Sequence, residues 1–599
     1  MDASDAPQGM DAGQTAPLRG GRTSGSSHYT PPLTDIAFVM EQWLDAPADW
    51  LRMPAYAGLD ADTARMVCEA ASDFCADQLA PLNASADLQG CTWLDGRVRT
   101  PDGFAAAYHA YVQAGWPALA CDADVGGQGL PELLDAALNE MIASSNHAWA
   151  MYLGILHGAY SCLHAHASEA LKAQYLPHLV RGDWLATMCL TEPQAGSDLG
   201  LLRTQARPHA DGSYRLNGNK IFISGGEQDW TENIVHLVLA RLPDAPPGTK
   251  GISLFLVPKR LQQVGGGWAA NAVYCDGIEK KMGIKGSATC AMRFEEAQGW
   301  LIGQPHRGLA AMFVMMNSAR LHVGLQGLGH AQMAYQLALT YARERRQMRA
   351  VVRPQGASDA ADPIACHAPV RRILWDLRVW TEGMRALGYW CGHVLDLAAQ
   401  APDEVERSCA QALAALLTPV VKSLFTERGF ELASDALQVF GGYGYVHEYR
   451  IEQTLRDARI AMVYEGTNQI QALDLLQRKV LAAPDGLAPL LQVFRSEAAL
   501  ASVHGVVLQG WCDVLQTETQ ALAEDARHDF ELPARAAEDY LRLVGWVAMA
   551  FAWCRAARVA SEAFAHKRDS ARYFFDHVMV QAEHWRRRVQ AARHPVAPI

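Results

Sequence analysis

The sequence predicts a mainly α-helical protein with a central β domain, in the order helices, strands, helices and a further helical piece. Three observations carry that reading. Apolar residues recur at three- and four-residue spacing over 34–186 and again beyond 306. Between 187 and 305 the texture changes to short alternating, β-rich runs. The break "AAPDG" at 482–486 then separates a last periodic stretch from the rest. A chain of 599 residues is too long for one core, so three or four domains are expected. We divide it into a leader (1–33), an N-terminal helical domain (34–186), a middle β domain (187–305), a helical bundle (306–482) and an additional helical domain (483–599).

The first thirty residues lack both an apolar run and a basic start, and read as a disordered leader rather than a signal peptide. "PPLTDIAFVMEQWL" (31–44) and "DAALNEMIASSNHAWAMYLGILHGAYSCLHAH" (135–166) follow with helical periodicity, punctuated by "DVGGQGLPE" and "VRGDW". His157, His164 and His166 lie on an apolar helix with no carboxylate at ligand spacing, so they read as ordinary histidines and no metal is expected.

In the middle domain "DGSYRLNGNKIFISGG" (211–226) alternates around an Asn-Gly pair that predicts a hairpin turn. "IVHLVLARL", "KGISLFLVPK" and "ATCAMRFEEA" supply further strands. Helical spacing returns in "GLAAMFVMMNSARLHVGLQGLGHAQMAYQLALTYARERRQ" (308–347), "VRRILWDLRVWTEGMRALGYW" (370–390) and "LTPVVKSLFTERGFELASDALQVFGG" (417–442), with a polar loop over 350–364. No internal repeat and no βαβ alternation is visible.

Half the residues are apolar and 19% are charged, as in a globular enzyme. The net charge is −12, and the one basic cluster, "HWRRRVQAAR" (584–593), reads as a solvated helix face, so no nucleic-acid partner is expected. The 13 cysteines stand singly without a C-x-x-C pair, which suits reduced thiols in the cytoplasm. The longest apolar window, "LVGWVAMAFAWC" (543–554), is too short to span a membrane and suits a buried helix.

Neither a G-x-G-x-x-G after a strand nor a P-loop is present, and "GLQGLG" (324–329) falls inside a helix, where small residues permit close packing. Three polar, Gly-containing strips remain. "MCLTEPQAGSDLG" (188–200) sits where helices give way to strands, with Pro193 stiffening a turn and Ala195 and Gly196 leaving room for a ligand. "KIFISGG" (220–226) ends a strand with Phe222 and Ser224, which the pleat would put on one face. "QVFGGYGYVHEYRIEQTLRDARIAMVYEGTNQIQ" (438–471) carries three glycines, several arginines and Glu465. Glu465 is either an acid at the start of the helix "TNQIQALDLLQRKV" or a base in a dry pocket.

Taken together these strips resemble the acyl-CoA dehydrogenase family. "LTEPQAGSD" and "QVFGGYGYVHEYRIEQTLRDARI" match its two signature regions in order, and "YARERRQ" and "YEGTNQIQ" fall where the family has them. The resemblance covers roughly 80–480, and with the added C-terminal domain it extends to the long branch of the family. It implies a helical N-terminal domain, a β-barrel-like domain and a four-helix bundle, and an FAD-dependent α,β-dehydrogenation of an acyl-CoA thioester. Glu465 would abstract the Cα proton while flavin N5 accepts the Cβ hydride.

The same resemblance implies the remaining roles. Leu190 and Thr191 would lie against the isoalloxazine ring, Ser224 would bond it near N5, and Phe222 would stand in for the usual Trp wall. Arg345 and Gln347 would reach the FAD pyrophosphate of a neighbouring subunit, Gln438, Gly441 and Gly442 its adenosine side, and Thr467 and Gln469 the FAD beside the base. Ser197, Asn317, Arg320 and Gly466 would face the substrate. FAD shared between subunits implies a homodimer or homotetramer, and an electron-transferring flavoprotein is the implied acceptor. The acyl group is expected to be short or medium in length, or to bear a thioether as in the 3-(methylthio)propionyl-CoA enzymes of the branch. An acyl-CoA oxidase and a DNA-associated flavoprotein of the same superfamily are the alternatives.

Overall fold

The computed structural model describes residues 29–594 except Val264, Pro484 and Ser502, and gives no side-chain description for Val314, Asn317 and Ser318. The expected leader lies outside the described residues as far as 28. Its boundary at 33 is set too late: Tyr29 is already buried, and the Thr30 N–H donates to Gln336 at 3.1 Å. A single aromatic ahead of two prolines gives no periodic signal from which packing is legible.

The N-terminal region is helical as expected, apart from a small antiparallel hairpin, Thr92–Leu94 with Arg97–Arg99. Its longest helix, α1 (Glu132–Ala150), is buried almost throughout and breaks at Asn146 (φ −159°, ψ 87°). The Asn146 side chain then accepts from the Trp149 N–H at 3.1 Å and restarts the helix.

The middle domain contains β1 (Leu185–Cys189), β2 (Gln205–Pro208), β3 (Tyr214–Ser224), β4 (Ile234–Arg241), β5 (Ile252–Pro258), β6 (Val273–Ile278) and β7 (Thr289–Ile302). β7 pairs with β3, β3 with β2, β2 with β4 at one point, β4 with β5, and β5 returns to β7. That ring closes the sheet on itself and makes the domain barrel-like; β1 extends it by parallel pairing to β4. The Asn-Gly hairpin does not form. β3 runs unbroken through Asn217 and Gly218, and the turn lies earlier, where Gly212 N–H reaches His209 O at 3.1 Å. Gly218 is needed for another reason: a Cβ there would come within 2.4 Å of Thr204 Oγ1.

Three long helices form the body of the bundle: α2 (Gly308–Glu344), α3 (Ala368–Gln400) and α4 (Glu404–Phe440). The "GLQGLG" strip is where α2 touches α4. A Cβ on Gly327 would lie 2.4 Å from the Phe425 carbonyl, and one on Gly429 2.3 Å from that of Gly327. α4 is the one described helix long and apolar enough to cross a membrane (mean hydropathy 1.4), but 78% of that window is buried in this fold. Its apolar residues serve the core.

α5 (Leu532–Val559) contains the long apolar window and packs on α3 and α4, its buried Trp553 donating to the Val379 carbonyl at 3.1 Å. Charge closes the junction as well. Arg385 of α3 meets Glu140 of α1 at 2.6 Å, and both Arg385 and the buried Lys567 bond Asp35; Lys567 also reaches Glu382 at 2.9 Å. The basic cluster near the C-terminus is neutralised within the fold: Arg588 pairs with Asp539 at 3.0 Å and Arg593 with Asp525 at 2.7 Å.

Candidate active site

The strip 188–200 leaves β1 as a loop whose shape is set by Glu192, a residue sequence reasoning passed over. Its buried carboxylate accepts from Lys220 Nζ (2.8 Å), Thr204 Oγ1 (2.6 Å), Thr204 N–H (3.0 Å) and Arg203 N–H (2.6 Å). Burial works against the charge, but Lys220 and these donors prevail and hold the carboxyl down at about 2. Lys220 also donates to the Leu190 carbonyl at 3.0 Å, and Ile221 N–H to that of Thr191 at 2.9 Å. Both carbonyls are thereby committed inside the domain. Ser197 is exposed further along, and Asp198 caps the Gly200 N–H at 2.8 Å.

Beside Thr191 on β3, Phe222 adopts φ +59° and its ring is 60% exposed. The β3–β7 register shifts there, between Cys290 and Met292. The bulge lies just ahead of Ile223. Beyond it Ile223 is buried between the exposed Phe222 and the partly buried Ser224, as expected if those two share a face. Among the described residues no side chain bonds the Thr191 or Ser224 hydroxyl. An exposed aromatic side chain, with two unengaged hydroxyls on neighbouring residues of the same strand and loop, fits a planar, acceptor-edged group such as the isoalloxazine of FAD.

Glu465 lies in a turn between two short helical pieces. It adopts φ +54° and Gly466 follows at +79°, two consecutive left-handed residues. For a glutamate that conformation costs about 1–3 kcal/mol, so surrounding contacts must hold it. Lys422 of α4, which sequence reasoning missed, donates to the Gly466 carbonyl at 2.8 Å and to Asn468 Oδ1 at 3.0 Å. Gln471 donates to the Glu465 carbonyl at 3.1 Å. Among the described residues nothing accepts from the Glu465 N–H. Helix capping belongs to Thr467, whose hydroxyl accepts from Ile470 N–H at 3.3 Å. Glu465 is therefore not the cap.

Burial raises the Glu465 carboxyl above its ordinary value, opposed by Arg320 and then Lys422. Arg320 is itself buried, 3.6 Å from Asp474. The same burial brings Lys422 down to about 7, Glu465 opposing the fall. The side chain of Asn317 lies outside the described residues, and Gln469 is exposed.

The other expected FAD contacts stand apart from Glu465 and Arg320. Arg345 and Gln347 follow the far end of α2, Gln438 lies in the last turn of α4, and Gly441 and Gly442 follow it; all five are exposed. Arg320 and Arg345 are 25 residues apart on one rod, or about 37 Å at 1.5 Å per residue. Arg345 stacks on Tyr443, its guanidinium carbon 5.5 Å from the ring centre. A Cβ at Gly441 or Gly442 would meet nothing within 4 Å, which leaves that backbone open to a ligand or a neighbour.

Family comparison decides the assignment. Profiles described as acyl-CoA dehydrogenase N-terminal, middle and C-terminal domains match residues 61–183, 187–297 and 306–480, and one described as acetyl-CoA dehydrogenase C-terminal like matches 487–598. The chain belongs to the acyl-CoA dehydrogenase family. It is 45% identical over 457 residues, 76% of each chain, to 3-methylmercaptopropionyl-CoA dehydrogenase of Ruegeria pomeroyi. Against the broad-specificity linear acyl-CoA dehydrogenase FadE5 of Mycobacterium tuberculosis the identity is 36% over 465 residues, again 76% of each. A Bacillus anthracis acyl-CoA dehydrogenase solved with FAD shares the fold at TM-score 0.72 and 21% identity, covering 92% of this chain and 91% of its own. The protein is an FAD-dependent acyl-CoA dehydrogenase, and the oxidase alternative is not favoured.

The histidines set aside in sequence do find carboxylates in the fold. His157 lies 2.9 Å from Glu132, and His164 3.3 Å from Asp122. Neither acid is at helical ligand spacing, so the pairing was not legible in the sequence.

Proposed function

We propose that Glu465 abstracts the Cα proton of a short acyl-CoA, with 3-methylmercaptopropionyl-CoA as the preferred substrate. When bound, FAD supplies the two-electron acceptor for the Cβ side. The observation that carries this reading is the Glu465 turn: an acid raised by burial, strained into a left-handed conformation and held there by Lys422. A base for a weakly acidic Cα proton benefits from a raised pKa, and a dry site sharpens the effect. The Glu465 N–H, with no acceptor among the described residues, is available to the thioester oxygen as charge gathers there. Leu190, Thr191, Phe222 and Ser224 form the wall opposite. Ser197 and Gly466 border the thioester, and Arg320 the base.

The thioether preference is supported by the name and 45% identity of the Ruegeria relative. We assign the exposed group Arg345, Gln347, Gln438, Gly441 and Gly442 to the nucleotide half of an FAD held by a second copy of the chain. The distance along α2 supports this, because one subunit cannot reach both ends of its own cofactor so easily. Tyr445, 86% exposed beside them, suits burial in a homodimer or homotetramer. An electron-transferring flavoprotein is the proposed acceptor and the cytoplasm the proposed location.

The test is turnover of purified holoenzyme against C3 to C16 acyl-CoAs and the methylthio compound, with stopped-flow reoxidation by air and by the flavoprotein. Short-chain and thioether turnover with slow reoxidation in air is expected. Turnover confined to long chains, or fast reoxidation by oxygen, contradicts the proposal.

A further inference from the structure

The turn after α1 joins the two walls of the cleft. On one side Tyr152 packs against Gly225, where a Cβ would lie 3.1 Å from the Tyr ring, directly after Ser224. On the other, Met151 Sδ lies 3.5 Å from the hydroxyl of Tyr464, the neighbour of Glu465. Met151 and Tyr464 thus lie between the end of β3 and the Glu465 turn.

That floor is polar and ordered. Tyr464 OH donates to Gln326 Oε1 at 2.5 Å, so its oxygen is left to accept from His147 Nε2 at 3.0 Å. His147 Nδ1 must then accept, and His330 Nε2 stands 2.8 Å away to donate. Both imidazoles are buried, and burial favours their neutral forms, bringing His147 down to about 4 and His330 well below its usual value. All three bonds run in one direction, from His330 to Gln326.

With its oxygen occupied, Gln326 has only its N–H bonds left to offer. The amide nitrogen lies 3.8 Å from Met151 Sδ, a thioether sulfur. A pocket for a plain hydrocarbon tail needs no buried polar chain, because such groups cost free energy unless every partner is supplied.

We propose that Gln326 is a specificity-determining residue that offers an amide N–H to a heteroatom one bond beyond Cβ of the acyl group. His330, His147 and Tyr464 are positioning residues that fix the orientation of that amide. This inference rests on the dehydrogenase reading of Glu465. It adds a reason for a thioether to be preferred: the substrate sulfur takes the donor that Met151 now holds.

The test compares 3-(methylthio)propanoyl-CoA with pentanoyl-CoA, which has a methylene in place of the sulfur, on FAD-loaded wild type and Gln326→Leu. The ratio of the two kcat/KM values is expected to fall about 5–10-fold in the variant, a neutral hydrogen bond's effect, whatever common loss both substrates suffer. His330→Leu, farther from the substrate, is expected to lower the same ratio by less, and it serves if Gln326→Leu loses FAD. Calorimetric affinities for the two thioesters in a Glu465→Gln background should shift in the same sense. An unchanged ratio, or equal loss on both substrates, overturns this proposal alone. A wild-type flavin that bleaches with neither thioester overturns the reading of Glu465 and this proposal with it.

Discussion

Lys422 Nζ lies 2.8 Å from the carbonyl oxygen of Gly466, so a cation on α4 holds the peptide that follows Glu465. The same cation lowers the carboxyl that burial raises. One side chain thus holds the base in place and, after Arg320, opposes the rise that burial gives its carboxyl.

Lys422→Met should separate those two effects. Losing a charged hydrogen bond of about 1.5–3 kcal/mol loosens the turn, and kcat is expected to drop by roughly 10–100-fold. Loss of the positive charge lets the Glu465 pKa rise further, so the acid limb of the pH–kcat/KM profile should move to higher pH. A profile that keeps its midpoint while kcat falls would leave Lys422 with a purely structural role.

The flavin-side loop depends on the Glu192–Lys220 pair. Lys220→Met leaves a buried carboxylate without its cation and is expected to cost about 3–5 kcal/mol, read in denaturant unfolding together with lost FAD. The pH sign follows from the carboxyl being held at about 2 against an ordinary 4.5. Its stabilisation is present above 4.5 and is lost as pH falls from there toward 2. Acid unfolding should therefore begin at higher pH in the variant, and superimposable acid transitions would argue against this role.

Arg345 tests the shared cofactor. Arg345→Ala removes an exposed guanidinium that no ion pair holds among the described residues, so monomer stability should change little. FAD affinity should weaken by roughly 10-fold or more, as for a lost charged contact of about 1.5–3 kcal/mol. Absorbance of bound flavin after gel filtration measures it. Full retention of FAD would contradict the assignment.

Much of the fold was legible because its periodicities are long. α2, α3 and α4 each repeat their apolar spacing over many turns, and the switch to β texture near 187 is abrupt. The hairpin was misplaced because Asn217-Gly218 has the composition of a turn, while Gly218 is needed for its close approach to Thr204. Short-range signals cannot distinguish those two needs. At the site, the Glu465 strip was visible from its motif, yet Lys422, Gln326, His147 and His330 were not. They lie on three different helices: Lys422, Gln326 and His147 meet the neighbours of Glu465 only through packing, and His330 meets His147. Glu192 stood inside a quoted motif, but its partner Lys220 comes 28 residues later.

The most direct measurement is anaerobic flavin reduction by Glu465→Gln mixed with 3-(methylthio)propanoyl-CoA. The amide cannot take the Cα proton, so bleaching should slow by about 10²–10⁴-fold, the span of general base catalysis. FAD content and thioester affinity should stay near wild type. Bleaching at the wild-type rate would contradict the assignment of Glu465 as the base.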